Sequence, residues 1–374
     1  MSKTAIVIGA GIVGLATARA LAMRGYSVQV IDRSPQALGA SIRNFGMIWP
    51  IGQPDGQLYE RAMLSRRIWK DVCREAGIWY DKVGSLHLAY EPDEWQVLEE
   101  LRERFQHRNY LLLDAAETAN GSPAIVREGL RGSLYSPDEM IVDPRTAIAR
   151  IPAWLSERWG VRFVWGQAVT DVAYPAVYAG NNEWEADEIY VCSGADFETL
   201  YPHLFASAPI TKCKLQMMRL APQPGNWRIG PALCGGLSLL HYKSFEAAGS
   251  LAQLRERIEQ QLPQYLQWGI HVMVSQNQEG ALTVGDSHEY GAGHDPFDKR
   301  FINELILDYL RGFARFANET VEESWHGVYA KMKNGHTEWV VSPESGVTVI
   351  NALGGAGMTL SFGLCEQLIA AKSK

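Results

Sequence analysis

The sequence predicts an α/β fold, α+β over its whole length, and three observations predict it. A β-branched run at Thr4 to Ile8 meets glycine and then a helical pattern; the middle of the chain interleaves strand-like runs with amphipathic helices; and the end of the chain repeats the arrangement of strand, glycine turn and helix. The first predicts a parallel βαβ unit at the N-terminus, and the second predicts a mixed sheet further on.

Each element follows from its own residues. Thr4 to Ile8 reads as a buried strand. In the helix after it, Val13, Ala16, Ala20 and Leu21 share a face, and Gly25 is expected as its C-cap before Ser27 to Ile31 returns as a strand closing on Asp32. Arg61 to Ala76 is predicted helical, Gly84 to Ala89 a strand, and Pro92 to His107 an amphipathic helix with Trp95, Leu98 and Leu101 inward. Asp143 caps a helix that opens on Pro144 and runs to Trp159, and Val161 to Trp165 follows as a strand. Ile189 to Cys192 is a strand ending at Ser193, Gly194 and Ala195. Thr211 to Leu220, Ile270 to Val274 and Ala281 to Gly285 are strand-like, with helices at about Leu251 to Leu262 and Phe301 to Ala317. Val347 to Leu353 is a buried strand, Gly354 to Gly357 a turn, and Thr359 to Ala371 a closing helix.

A chain of 374 residues can bury a large core and is expected to form two domains. Its composition, 47% hydrophobic and 21% charged, is that of an ordered globular protein rather than a disordered one. The net charge of -7, with no long run of Lys or Arg, argues against a nucleic-acid partner. Cys73, Cys192, Cys213, Cys234 and Cys365 are odd in number and widely spaced, with no CxxC, so they read as reduced thiols of a cytoplasmic protein. The apolar stretch from Ala5 to Met23 is broken by three glycines into strand and helix, which argues against both a signal peptide and a membrane span.

The chemistry begins at Gly9-Ala10-Gly11-Ile12-Val13-Gly14, which follows a strand, opens a helix and has Asp32 eighteen residues beyond its last glycine. The first glycine makes a tight turn, the second admits a pyrophosphate to the backbone, the third lets helix and strand pack closely, and the carboxylate accepts from a ribose hydroxyl. Alone, the motif leaves NAD and FAD both open. The second glycine turn separates them: in a glutathione-reductase-type Rossmann FAD-binding domain the remote C-terminal segment also reaches the cofactor, and a turn at a helix N-terminus presents free N–H groups and positive dipole to a reduced flavin. A plain turn before a surface helix is the bland alternative for Gly354, Gly355, Ala356 and Gly357.

Over nearly its whole length the chain resembles the D-amino-acid oxidase superfamily of FAD amine oxidases, in its glycine oxidase and sarcosine oxidase branch. The resemblance rests on Gly9 to Gly14 with Asp32, on Gly39 to Gly46, on Val83 to Leu86, on Val142 to Arg145, on Val191 to Ala195, on Ala281 to Gly285 and on Gly354 to Leu360. It implies that Arg33, Ala40, Ser41, Arg43, Asn44, Phe45 and Gly46 approach the FAD. It implies the same for Val169 through its backbone, for Ser193 to Ala195, and for Met358 and Thr359 beside the second glycine turn. Ser41 and Asn44 have a turn role as their alternative.

Two departures bear on substrate. Where such oxidases hold a substrate carboxylate with arginine, this chain has Gly327-Val328-Tyr329-Ala330; the substrate-facing tyrosine of glycine oxidase matches His271, and the oxygen-activating lysine of sarcosine oxidase matches Thr283. The stretch from Ser41 to Gln53 looks like a clade associated with aminophosphonate breakdown. A tetrahedral phosphonate suits several donors better than one guanidinium fork, and the candidates are Arg43, Tyr242, His271, His288 and Tyr329. Arg43 has the FAD phosphates as its alternative role, and His288 a turn.

The expected activity is therefore oxidation of a C–N bond in a small amine by hydride transfer to flavin, then imine hydrolysis, with oxygen or another electron acceptor completing the cycle. Glycine-like or other amino-acid oxidation, an NAD-linked dehydrogenase and a non-catalytic flavin-binding protein are the rival readings. The expected division is an FAD-binding domain of residues 1–84, 144–210 and 325–374 and a mixed-sheet substrate domain of 85–143 and 211–324.

Overall fold

The computed structural model describes residues 2–372, so the outermost bounds of the expected domains, 1 and 374, lie outside the described residues. Strand β1 (Thr4–Ile8), helix α1 (Ile12–Ala22) and strand β2 (Ser27–Asp32) form the expected parallel βαβ unit, with Ile6 opposite Gln29 and Val7 opposite Val30. Six strands make that sheet, in the order Trp339–Val341, Val347–Asn351, Glu188–Val191, β1, β2, Arg162–Trp165. All pairs are parallel except the first, so both faces must be covered.

One face carries the helices. Leu15, Trp69, Ile148 and Leu364, from α1 and the helices Gln57–Ala76, Pro144–Trp159 and Gly357–Lys372, share a core with Val7, Val28 and Val30. The other face packs Ile6, Ile8 and Ile31 against a small antiparallel sheet of Asp171–Ala173, Ala176–Ala179 and Asn182–Glu185. A second, nine-stranded sheet of mixed direction holds the middle of the chain. Its spine is the long strand Ile210–Leu220, which pairs along its whole length with Val321–Met332. The expected boundary between residues 324 and 325 falls inside that last strand.

Several expectations shift. Helix α1 is buried on nearly every side rather than on the face of Val13, Ala16, Ala20 and Leu21, because Ala and Gly let the sheet and the closing helix approach it from both sides. It stops at Ala22 with Met23 as its C-cap; Gly25, at φ +81°, lies in the turn beyond. The expected strand Ile270–Val274 is Met273–Gln276, and the expected helix Phe301–Ala317 is Arg300–Phe313. The strands Asp171–Ala173, Ala176–Ala179 and Asn182–Glu185 were not legible, being short and rich in polar and turn-forming residues.

Candidate active site

The glycine motif ends β1 and opens α1, as its spacing requires. Gly9 has φ +102°, and a Cβ there would stand 2.4 Å from the Cys192 carbonyl oxygen; a Cβ on Gly14 would meet the Gly9 carbonyl oxygen, which is why the third position must be bare for helix and strand to pack. Asp32 at the end of β2 accepts from the backbone N–H groups of Ala10 (2.7 Å) and Ser34 (2.9 Å), so its carboxylate is fixed at the tip of the sheet. Ser41 accepts from the Ile12 N–H at 2.9 Å and so occupies one free donor of the α1 N-terminus.

These residues line a cleft of about 350 Å³. Gly9, Gly11, Ile12, Val13, Asp32 and Arg33 form one side, and Val169, Ser193, Gly194 and Ala195 another. Arg33 is held by an ion pair with Asp196. The cleft opens into a second cavity of about 450 Å³ through walls common to both: Ile12, Ala40, Ser41, Tyr329, Gly354 and Gly357. Gly354 to Ala356 form one 3₁₀ turn leading directly into the helix Gly357–Lys372, so the free N–H groups of that helix start face the junction. A pair of joined cavities with a helix start at each of two separated glycine turns fits a dinucleotide such as FAD, and Gly9 and Gly11 line the first of them.

Arg43, Asn44, Phe45, Gly355, Ala356, Met358 and Thr359 line the second cavity. Asn44 serves its own turn, donating to the carbonyls of Ala40 and Ser41 and accepting from the Gly46 N–H. Gly46 is among the lining residues of neither cavity; at φ +73° it makes a tight crossing in which a Cβ would stand 1.9 Å from the Val142 carbonyl oxygen. Thr359 accepts from the Trp49 N–H at 2.9 Å. Arg43 is the arginine of this cavity, and it donates to the His326 carbonyl at 3.1 Å.

The opposite wall gathers imidazoles from three segments. His241 stacks on His271 with centroids 3.8 Å apart at 27°, and lies 4.6 Å from His288; His271 and His288 are 5.2 Å apart at 19°. Asp286 comes within 2.9 Å of His271 Nε2, and the backbones of the two residues exchange hydrogen bonds. The Gly269 carbonyl is 3.0 Å from His288 Nδ1. Burial pushes the His288 imidazole down to about 4 against the pull of Asp286, and with the neighbouring imidazoles it holds His241 well below its usual value. Burial alone would raise Asp286, but His271 and His288 outweigh it, and the carboxyl stays below its ordinary value. Tyr242 and Tyr329 are kept protonated by burial, and Tyr242 donates to Met273 Sδ at 3.2 Å.

The structure thus brings Arg43, Tyr242, His271, His288 and Tyr329 to one cavity. Thr283, at the oxygen-activating position of the resemblance, is buried in its strand opposite Arg219 and Ser275 and does not line it. Sequence reasoning missed His241, Asp286 and Lys331. Lys331 lines the cavity, and its Nζ donates to the Tyr290 hydroxyl at 2.9 Å. His241 stands in no motif, so only the folding together of three distant segments marks it. A lysine two positions after Tyr329 on a strand, which shares its face, was the one signal for Lys331 that the sequence offered.

Residues 4–371 match the DAO family, described as FAD dependent oxidoreductase. Among curated relatives, the bifunctional tRNA 5-methylaminomethyl-2-thiouridine biosynthesis protein MnmC of Pseudomonas savastanoi pv. phaseolicola is 33% identical over 127 residues, which cover 32% of this chain but only 19% of that protein. Among solved structures, glycine oxidase from Bacillus cereus ATCC 14579 superposes with a TM-score of 0.78 at 16% identity, covering 100% of this chain and 96% of that one. L-proline dehydrogenase from P. horikoshii gives 0.77 at 18% identity, covering 100% and 94%. At those identities the likeness is one of fold. Among the described residues no helix is long and apolar enough to cross a membrane.

Proposed function

Since the chain belongs to the DAO family of FAD dependent oxidoreductases, we propose that it oxidises the C–N bond of a small amine bearing an anionic head group, an aminophosphonate above all. The observation that carries this reading is the group of three imidazoles lining the same cavity as the second glycine turn, where the arginine present is already engaged with a backbone carbonyl. An imidazole edge backed by others can meet one oxygen of a tetrahedral group and carry a compensating proton, whereas a planar carboxylate is best met by one guanidinium fork. Glycine oxidase and L-proline dehydrogenase, whose fold is shared, are named for amine substrates.

When bound, FAD would supply the two-electron acceptor for a hydride from the amine carbon, the nitrogen would lose a proton, and water would hydrolyse the resulting imine to a carbonyl compound and ammonia or an amine. The chain binds and orients. Gly9 to Gly14, Asp32, Val169 and Ser193 to Ala195 would hold the nucleotide half, and the helix start at Gly354 to Gly357 would favour negative charge on the other half. Tyr329, protonated and lining both cavities, is a donor at their junction. We propose that the six-stranded sheet carries the cofactor and the nine-stranded sheet the substrate wall.

Anaerobic mixing of the yellow protein with 2-aminoethylphosphonate, its N-methyl derivative, glycine, sarcosine and proline tests the reading. The flavin band is expected to bleach with one or both phosphonates. Bleaching by the carboxylates alone refutes the head-group assignment, and no bleaching by any amine refutes amine oxidation.

A further inference from the structure

We propose that His241 is the contact for the substrate's anionic head group and that it takes up a proton as that group docks, with His271 and Asp286 behind it. The inference rests on the reading above that the substrate carries a tetrahedral oxyanion.

Protein atoms crowd His241, but the residue keeps solvent-accessible surface and lines the cavity, and among the described residues its ring has no hydrogen-bond partner on either nitrogen. Its neighbours are not free in the same way. His271 Nε2 faces Asp286 at 2.9 Å, and His288 Nδ1 faces the Gly269 carbonyl. His271 Nδ1 has no partner either, but His271 and His288 are buried, so His241, the accessible one of the three, is the ring whose polar edge is open to a ligand. A neutral imidazole offers a single N–H and presents a lone pair at its other nitrogen, which repels an oxyanion. Protonation removes that repulsion and supplies a charge opposite to the ligand's.

Other groups facing the stack decide how many protons it can hold. Asp286 and His288 come from the segment after Leu282–Gly285, Lys331 and Tyr329 from the long strand Val321–Met332, and Tyr242 from the residue beside His241. His87, buried in the strand Ser85–Ala89, is held neutral by burial and by the neighbouring His271. Arg43, Lys243 and Glu246 line the same cavity. With three rings packed face to face, a second proton is opposed by repulsion between imidazoliums, while the one carboxylate of Asp286 can balance one. The dianion makes the first proton favourable: the complex holds one proton more than free protein and free dianion together.

A metal ion is the rival occupant, since one nitrogen from each ring lies within 4.8 Å of the others. The rings are stacked at 19° to 39°, so their in-plane lone pairs run side by side instead of converging on one point, as a tetrahedral ion needs. The stacking favours a shared proton.

Methylphosphonate has no C–N bond and cannot be oxidised, so its binding to the holoenzyme isolates the step. Binding is read from the flavin spectrum, and proton uptake from an indicator dye in weakly buffered solution. Above the ligand's second ionisation, roughly one proton is expected per ligand bound, and the affinity is expected to fall about tenfold per pH unit raised. Below that ionisation the ligand brings the proton itself, and uptake vanishes. His241→Gln keeps a donor but cannot be protonated, so its uptake is expected to be lost, while His288→Gln is expected to retain it. Wild-type binding without uptake, unchanged uptake in His241→Gln, no binding of methylphosphonate, or stoichiometric zinc whose removal by chelator abolishes binding would each overturn the proposal. The wild-type measurement needs no variant to fold. Flavin bleaching by the aminophosphonates together with zero uptake would sink this inference and leave the proposed function standing, whereas bleaching by no amine would sink that function first.

Discussion

Gly11 and Gly14 stand three residues apart and are bare for different reasons, which makes them separable by experiment. A Cβ on Gly14 would sit 1.8 Å from the Gly9 carbonyl oxygen, a backbone atom that cannot swing aside, and 3.4 Å from Val7 Cγ1. Gly14→Ala is therefore expected to cost roughly 3 kcal/mol, the upper part of the range for overpacked sites, read as a lower midpoint in denaturant. A Cβ on Gly11 would meet Ser41 Oγ at 3.1 Å, a side-chain atom that can give way. Gly11→Ala is expected to fold with a loss of roughly 1 kcal/mol or less but to lose its yellow colour on dilution, because the added methyl stands where the pyrophosphate approaches. Equal stability losses in the two variants would contradict this assignment of roles. The motif was legible because each glycine answers a local demand. Arg43 was legible only as a residue type: what it does depends on the His326 carbonyl, which the fold brings to it from the other end of the chain.

At the scale of elements, the closing helix Gly357–Lys372 holds the second glycine turn in place by packing between α1 and the helix Gln57–Ala76. Its close crossing with the latter is at Gly363, where a Cβ would stand 2.4 Å from the Arg61 carbonyl oxygen and the Gly363 N–H donates to Ser65 Oγ at 2.7 Å. Gly363→Ala is expected to lower Tm by roughly 5 °C or more and to weaken FAD retention, since separating the helices shifts the turn at Gly354. Gly312→Ala, in the exposed part of the helix Arg300–Phe313 with open space around its Cβ, is the control and is expected to stabilise by about 0.5–1 kcal/mol. A Tm for Gly363→Ala equal to wild type would show that the crossing can relax. Elements with one covered face and a plain period, such as Pro92–Arg104, were predictable from sequence. Helix α1, covered on both sides, and Val321–Met332, whose first four residues are exposed and include two glutamates, gave misleading or weak periods.

Across the whole molecule, the clearest pH signature lies away from the cavity, at Glu139. Its side chain accepts from the Ile51 N–H at 2.9 Å and reaches Ser85 Oγ at 3.4 Å, tying the cavity wall to the nine-stranded sheet. Burial pushes its carboxyl up to about 7, against the hydrogen bonds from Ser136 and Ile51. A raised carboxyl means that the folded chain binds more protons than the unfolded one between the two pKa values. Stability from this group is thus greatest below the unfolded value and falls by about 3 kcal/mol as pH rises to 7, after which it is flat. Glu139→Gln keeps the acceptor for Ile51 and removes the charge, so its stability relative to wild type is expected to improve between pH 5 and pH 8. The same difference at both pH values would refute the assignment.

By itself the sequence determined the α/β class, the first βαβ unit with its glycine turn and acid, the second glycine turn, and the kind of cofactor that two such turns can share. These are short-range demands, in which backbone conformation, helix start and hydrophobic period are set by residues a few positions apart. Only the tertiary structure decided that His241, His271, His288 and Asp286 form one stack, that Lys331 rather than Thr283 lines the cavity, and that Gly46 serves a backbone crossing. Such groupings depend on where distant segments meet as two sheets pack together, and a lone histidine carries no periodic or local mark of its future neighbours.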